Sequence, residues 1–205
     1  MLKFVRRRIA EEMTGAALPF VAFCIALNLT VGQITALLKI PLYLDSIGTV
    51  LVAVLVGPWS AVICGSFANL LASAFGSPTM MFFIPVVVVI GAFTGYLARR
   101  AWFRKWYLVV AGGILQGVLA AIVSAPISAY LFSGVMMAGT DFLVLYFRSM
   151  GNTLLNSVFY QGLASDPVDK LVTYLLVFFL TRSLPRRLIS RLRGAANIQQ
   201  SQSPA

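Results

Sequence analysis

The 205-residue sequence predicts an all-α polytopic membrane protein of six transmembrane helices, with both termini in the cytoplasm and an extra external amphipathic helix between the fifth and sixth spans. Three observations carry this reading. Hydrophobic residues make up 60% of the chain and charged residues only 11%, against about 25% charged in a soluble domain. Six apolar runs, at 14–38, 44–57, 59–76, 80–98, 107–133 and 167–184, are separated by Gly, Pro or charged residues, and a spanning helix needs about 20 apolar residues. Thirteen of the sixteen Lys and Arg residues fall in three clusters, on flanks that six spans place on one side of the membrane.

Residues 1–13 form the basic cytoplasmic N-terminus, with Lys3, Arg6, Arg7 and Arg8 anchoring the first span. The first apolar stretch is longer than the core of a secretory signal and lacks a clear cleavage site. The six-helix membrane domain covers 14–184. Its second and third runs are short and meet at Gly57-Pro58-Trp59, a tight turn at which proline ends continuous helix, so one of the two is expected to be incomplete or tilted. Arg99, Arg100, Arg104 and Lys105 follow the fourth run on the cytoplasmic side. Residues 142–162 are long enough to span, but a seventh span would put the C-terminal basic cluster outside, so the segment is expected to lie as an amphipathic helix on the outer face. Asp166-Pro167-Val168-Asp169 reads as the N-cap of the last span. Residues 185–205 form a tail, first basic and then disordered, because its end has little to bury.

Composition also excludes functions. With no histidine, there is no imidazole base, histidine triad or histidine metal ligand. Cys24 and Cys64 sit in apolar runs, where cysteine behaves as a small hydrophobe. No G-x-x-x-x-G-K-[S/T] pattern is present, so any ATP-driven process must borrow its ATPase. With no paired carboxylates apparent in the spans, no enzyme, cofactor or metal is expected. The basic balance belongs to membrane topology, not to nucleic acid.

Candidate binding residues come from polar groups near the outer ends of spans. Asp45 and Asn69 are placed to face an external cavity. Arg148, Asn152, Asn156 and Tyr160 recur every four residues and would form one helical stripe able to recognise a polar heteroaromatic molecule. The same stripe also fits the watery face of an interfacial helix. Asn28 and Gln116, inside spans, must find partners in hydrocarbon. Ala22-x-x-x-Ala26, with Thr30 one turn on, makes a small-residue ridge, as do Gly91-x-x-x-Gly95 and Gly113-x-x-x-Gly117. Such ridges pack either this chain's own helices or a partner's.

Ile40-Pro41-Leu42, followed by Leu55-Val56-Gly57-Pro58-Trp59-Ser60-Ala61-Val62-Ile63-Cys64-Gly65-Ser66-Phe67-Ala68-Asn69-Leu70-Leu71, resembles the external loop, G-P turn and small-residue third helix of the substrate-binding S components of energy-coupling factor (ECF) vitamin transporters. The likeness covers most of 14–184. It implies a multi-pass protein of the cell membrane that captures a vitamin, vitamin precursor or related micronutrient at the outer face. It also implies docking through Ala22 and Ala26 on a transmembrane T component that pairs with two cytosolic ATP-binding subunits. The chain departs from several family members in having few acids or tryptophans at the ligand site, and no vitamin-specific motif is matched. A second function class stays open: a membrane-embedded interaction or sensory module that binds partner helices and transports nothing.

Overall fold

A computed structural model describes residues 2–13, 15–135, 139–192 and 194. Of the disordered tail expected at 194–205, residues 195–205 lie outside the described residues, as does Arg193 of the last basic cluster, whereas Gly194 is buried and donates its N–H to the Leu55 carbonyl at 2.8 Å. The described chain is all helical, with no strand. Its helices are α1 (Leu2–Glu12), α2 (Ala17–Leu37), α3 (Ile47–Leu55), α4 (Pro58–Ala74), α5 (Ile84–Arg99), α6 (Trp106–Phe132), α7 (Asp141–Ser149), α8 (Leu154–Ser183) and the short α9 (Arg186–Ile189), with 3₁₀ turns at Pro78–Phe83 and Trp102–Arg104.

Three stretches are long and apolar enough to cross a membrane: Ala17–Leu37, Pro78–Arg99 and Trp106–Phe132. The run expected as a second span holds a helix too short to meet that length. α3 has nine residues, all buried, and is about 14 Å long at 1.5 Å per residue, half of a hydrocarbon core. It forms the centre of the molecule, with Val50, Val52 and Leu55 fully enclosed. The Gly57-Pro58 turn follows it as expected, with Pro58 at the first position of α4. α4 has 17 residues. α8 has 30 but carries Asp166, Asp169 and Lys170 in its middle.

Two expectations are corrected around α8. The helix over 142–162 is broken: α7 ends at Ser149, Gly151 takes a φ of +87° that glycine adopts without strain, and Thr153 caps a new helix by accepting the N–H of Asn156. α8 then runs unbroken through Pro167 to Ser183, so Asp166-Pro167-Val168-Asp169 is mid-helix and not a cap. The N–H that proline lacks leaves the Leu163 carbonyl without its usual donor, a tolerated defect in a packed membrane helix.

Close packing uses the glycine ridges. A side chain on Gly91 would meet the Ala61–Val62 backbone, and one on Gly95 would overlap Pro58, so α5 lies directly on α4. Gly113 abuts Leu171, and a Cβ on Gly117 would overlap the backbone of Pro167, so α6 and α8 touch along much of their length. The Ala22, Ala26 and Thr30 ridge, by contrast, is exposed on the outer surface of α2.

The basic clusters meet at one end of the bundle. Arg99 donates to Glu12 at 3.2 Å and Arg182 to the Arg104 carbonyl at 3.2 Å. Buried Glu12 also accepts the Ser60 N–H at 2.8 Å. Ser60 is the third residue of α4, where backbone donors lack intrahelical partners, and a carboxylate there is favoured by the helix dipole.

Gly117→Ala is expected to push α6 off α8 and lower unfolding stability by about 2 kcal/mol, while Ile114→Ala, on the exposed side of the same helix, leaves it nearly unchanged. Thermal unfolding of the two purified variants makes the comparison.

Candidate functional site

At the end opposite the basic clusters the helices enclose a cavity of about 450 Å³. That is within the range of small-molecule sites. One wall is apolar: Phe83, Val86, Val87 and Ile90 from the start of α5, with Ala120 of α6. The other side carries Asp45, Gln161, Asp166 and Lys170, with Asn28 and Asn69 at the flanks.

The polar side is built around the segment that enters α3. Residues 38–46 connect α2 to α3 without regular structure, so their backbone donors need partners from elsewhere. Asp169 of α8 supplies two: its Oδ1 accepts the N–H of Tyr43 at 2.9 Å and of Leu44 at 2.8 Å. Its Oδ2 accepts from Lys170 Nζ at 2.5 Å. Lys170, itself buried, also donates to Ser46 Oγ at 2.9 Å and lies 3.9 Å from Asp45 Oδ1. Thr35 Oγ1 donates to the Tyr43 carbonyl at 2.7 Å, and Tyr43 Oη pairs with Thr140 Oγ1 at 2.9 Å. Gly139 is so close to the Lys39 and Ile40 carbonyls that a Cβ there would lie 2.5 Å from the Lys39 oxygen, well inside van der Waals contact. The connections before α3 and before α7 therefore close against each other over the cavity.

Asn28 is explained by the same need. Its Oδ1 accepts the Gly48 N–H at 2.6 Å and its Nδ2 donates to Thr49 Oγ1 at 2.8 Å, so a side chain of α2 caps α3. Gln116, fully buried on α6, has no hydrogen-bond partner among the described residues.

Of the six residues expected to bind substrate, two line the cavity. Asp45 and Asn69 both do, with Asn69 Nδ2 donating to the Met80 carbonyl at 3.1 Å. Arg148, Asn152, Asn156 and Tyr160 do not, because the break at Gly151 destroys their register. Arg148 and Asn156 are exposed, Asn152 donates to the Phe147 carbonyl at 3.0 Å to close α7, and the Tyr160 ring rests 5.6 Å from that of Phe147. Tyr43, Gln161, Asp166, Asp169 and Lys170 are not among those six. Their signal was the spacing of Asp166, Asp169 and Lys170, which is i, i+3, i+4 once the helix continues through Pro167. Asp45, in the connection before α3, and Asp169, in α8, converge on one lysine, and Asp166 lies one helical turn from Asp169.

Burial holds the Asp45 carboxyl above the ordinary carboxylate range; the Lys170 ammonium opposes this, and neighbouring Asp169 adds to it. Its side chain is 29% exposed, but that surface opens onto the largely apolar cavity, which solvates charge poorly.

No family model, no curated protein and no solved structure matches this chain.

Asp169→Ala is expected to release the 43–44 backbone and leave Lys170 without its closest partner, costing about 3 kcal/mol, measured by denaturation in detergent. The Asp45 carboxyl gives a pH signature. The folded state holds this proton more tightly than the unfolded chain, so stability falls as pH rises from about 4 through the raised value. Asp45→Asn is expected to reduce that slope in melting curves recorded across pH.

Proposed function

We propose that this chain is the substrate-specific membrane subunit, or S component, of an ATP-driven energy-coupling factor importer, capturing a vitamin, vitamin precursor or related micronutrient at the outer face of the cell membrane. In this reading the chain makes six membrane passages, α3 serving as a half-length pass, with both termini and the basic end in the cytoplasm. The cavity then opens to the outside. The carrying observation is that cavity: about 450 Å³, enclosed by helix ends and connections, with one apolar wall and a polar side organised by Lys170. A chain that only contacts other helices has no use for such a space.

The exposed Ala22, Ala26 and Thr30 ridge supports the rest of the reading. The glycine ridges of α4–α5 and α6–α8 are consumed internally, whereas the α2 ridge leaves room for an external helix to approach closely. That is the surface for a transmembrane T component with its two ATP-binding subunits. The ridge by itself also serves an interaction or sensory module; the cavity favours capture.

The test is the double variant Ala22→Leu, Ala26→Leu. Expected are a loss of at least tenfold in co-purifying T component and ATPases, and retention of any small molecule bound to the wild type. Unchanged co-purification would remove the ridge as the docking face.

A further inference from the structure

We infer that the molecule this cavity takes is a small organic monocation, an ammonium or amidinium carrying N–H donors on a flat apolar body. The inference rests on the capture reading and follows from the charge inventory of the polar side. Asp169 and Lys170 neutralise each other, and both are committed: Asp169 accepts from Tyr43, Leu44 and Lys170, and two of the three N–H groups of Lys170 go to Asp169 and Ser46. That leaves Asp45 and Asp166. Asp45 lies 3.9 Å from Lys170 Nζ, beyond hydrogen-bond distance, and its carboxyl accepts only its own backbone N–H.

Asp166 is 7% exposed, and among the described residues its Oδ1 accepts from Ser165 Oγ at 3.3 Å while its Oδ2 accepts nothing. Asp166 borders the cavity. No cation other than Lys170 lines that space among the described residues. Two carboxylates sharing at most one lysine N–H beside apolar walls leave an uncompensated negative charge at membrane depth, a costly arrangement that a cationic donor relieves. Phe83, Val86 and Ile90, across the cavity, provide the surface for the apolar part.

Three isosteric probes separate charge from shape: benzylammonium, benzyl alcohol and benzoate, titrated against the purified full chain in detergent and read as shifts in thermal unfolding. Benzylammonium is expected to raise the midpoint with at least tenfold higher apparent affinity than benzyl alcohol, and benzoate to give no shift. Asp166→Asn and Asp45→Asn are each expected to reduce the preference for the cation by at least tenfold. The unliganded melting curves of both variants confirm that they fold, and either one alone suffices. Equal or stronger binding of benzyl alcohol or benzoate overturns the monocation class while leaving capture intact. An equal shift from Na⁺ or Mg²⁺ alone overturns it in favour of an inorganic ion site. No shift from any probe overturns the monocation class, and a native mass spectrum of the same protein, with or without a bound small molecule, then decides the capture reading separately.

Discussion

Every backbone N–H at membrane depth must find its acceptor inside the protein, because hydrocarbon offers none. This chain meets that constraint in an unusual place. α3 is only nine residues long and buried throughout, so its unpartnered first turn lies in the interior, and the half-buried segment before it adds the backbone donors of Tyr43 and Leu44. Side chains from distant helices supply the acceptors. Asn28 of α2 takes the Gly48 N–H, Asp169 of α8 takes those of Tyr43 and Leu44, and at the other end Glu12 takes that of Ser60 in α4.

Solving the backbone problem with a carboxylate creates a charge problem, and the cavity follows from it. Asp169 requires a cation, which Lys170 provides; Lys170 in turn draws in Ser46 and Asp45. The pair fixes one side of the cavity, and the apolar start of α5 fixes the other. The two ends of the bundle thereby acquire opposite characters: arginines at one, an acid-rich cavity at the other. Between them the glycine ridges bring α5 onto α4 and α6 onto α8 at backbone contact, which lets short-range polar pairs form at all.

Much of this was legible in the sequence. The all-helical class, the Gly57-Pro58 turn, the joining of the basic clusters and the placement of Asp45 and Asn69 at the cavity followed from hydropathy, charge and turn chemistry. Two features were not. A four-residue spacing cannot reveal a break that preserves the count, so Arg148, Asn152, Asn156 and Tyr160 read as one stripe although Gly151 and Thr153 end one helix and begin another. The Gly-Asn-Thr sequence was the available signal. Conversely, Asp166-Pro167 has the composition of a helix start, and only the packing of Gly117 against Pro167 makes it a helix interior. Local chemistry favoured a cap; tertiary contact decided otherwise. The same override hid Asp169 and Lys170, whose partners other than each other are more than a hundred residues away.

The central claim is that the space beside Lys170 captures a small molecule. Native mass spectrometry of the gently solubilised protein, expressed at natural levels, tests it most directly, reading bound molecules and co-purifying subunits together. The account predicts a vitamin-sized organic adduct on the wild-type chain, with or without the ATP-binding subunits. A ligand-free chain in complex with other membrane proteins would contradict it.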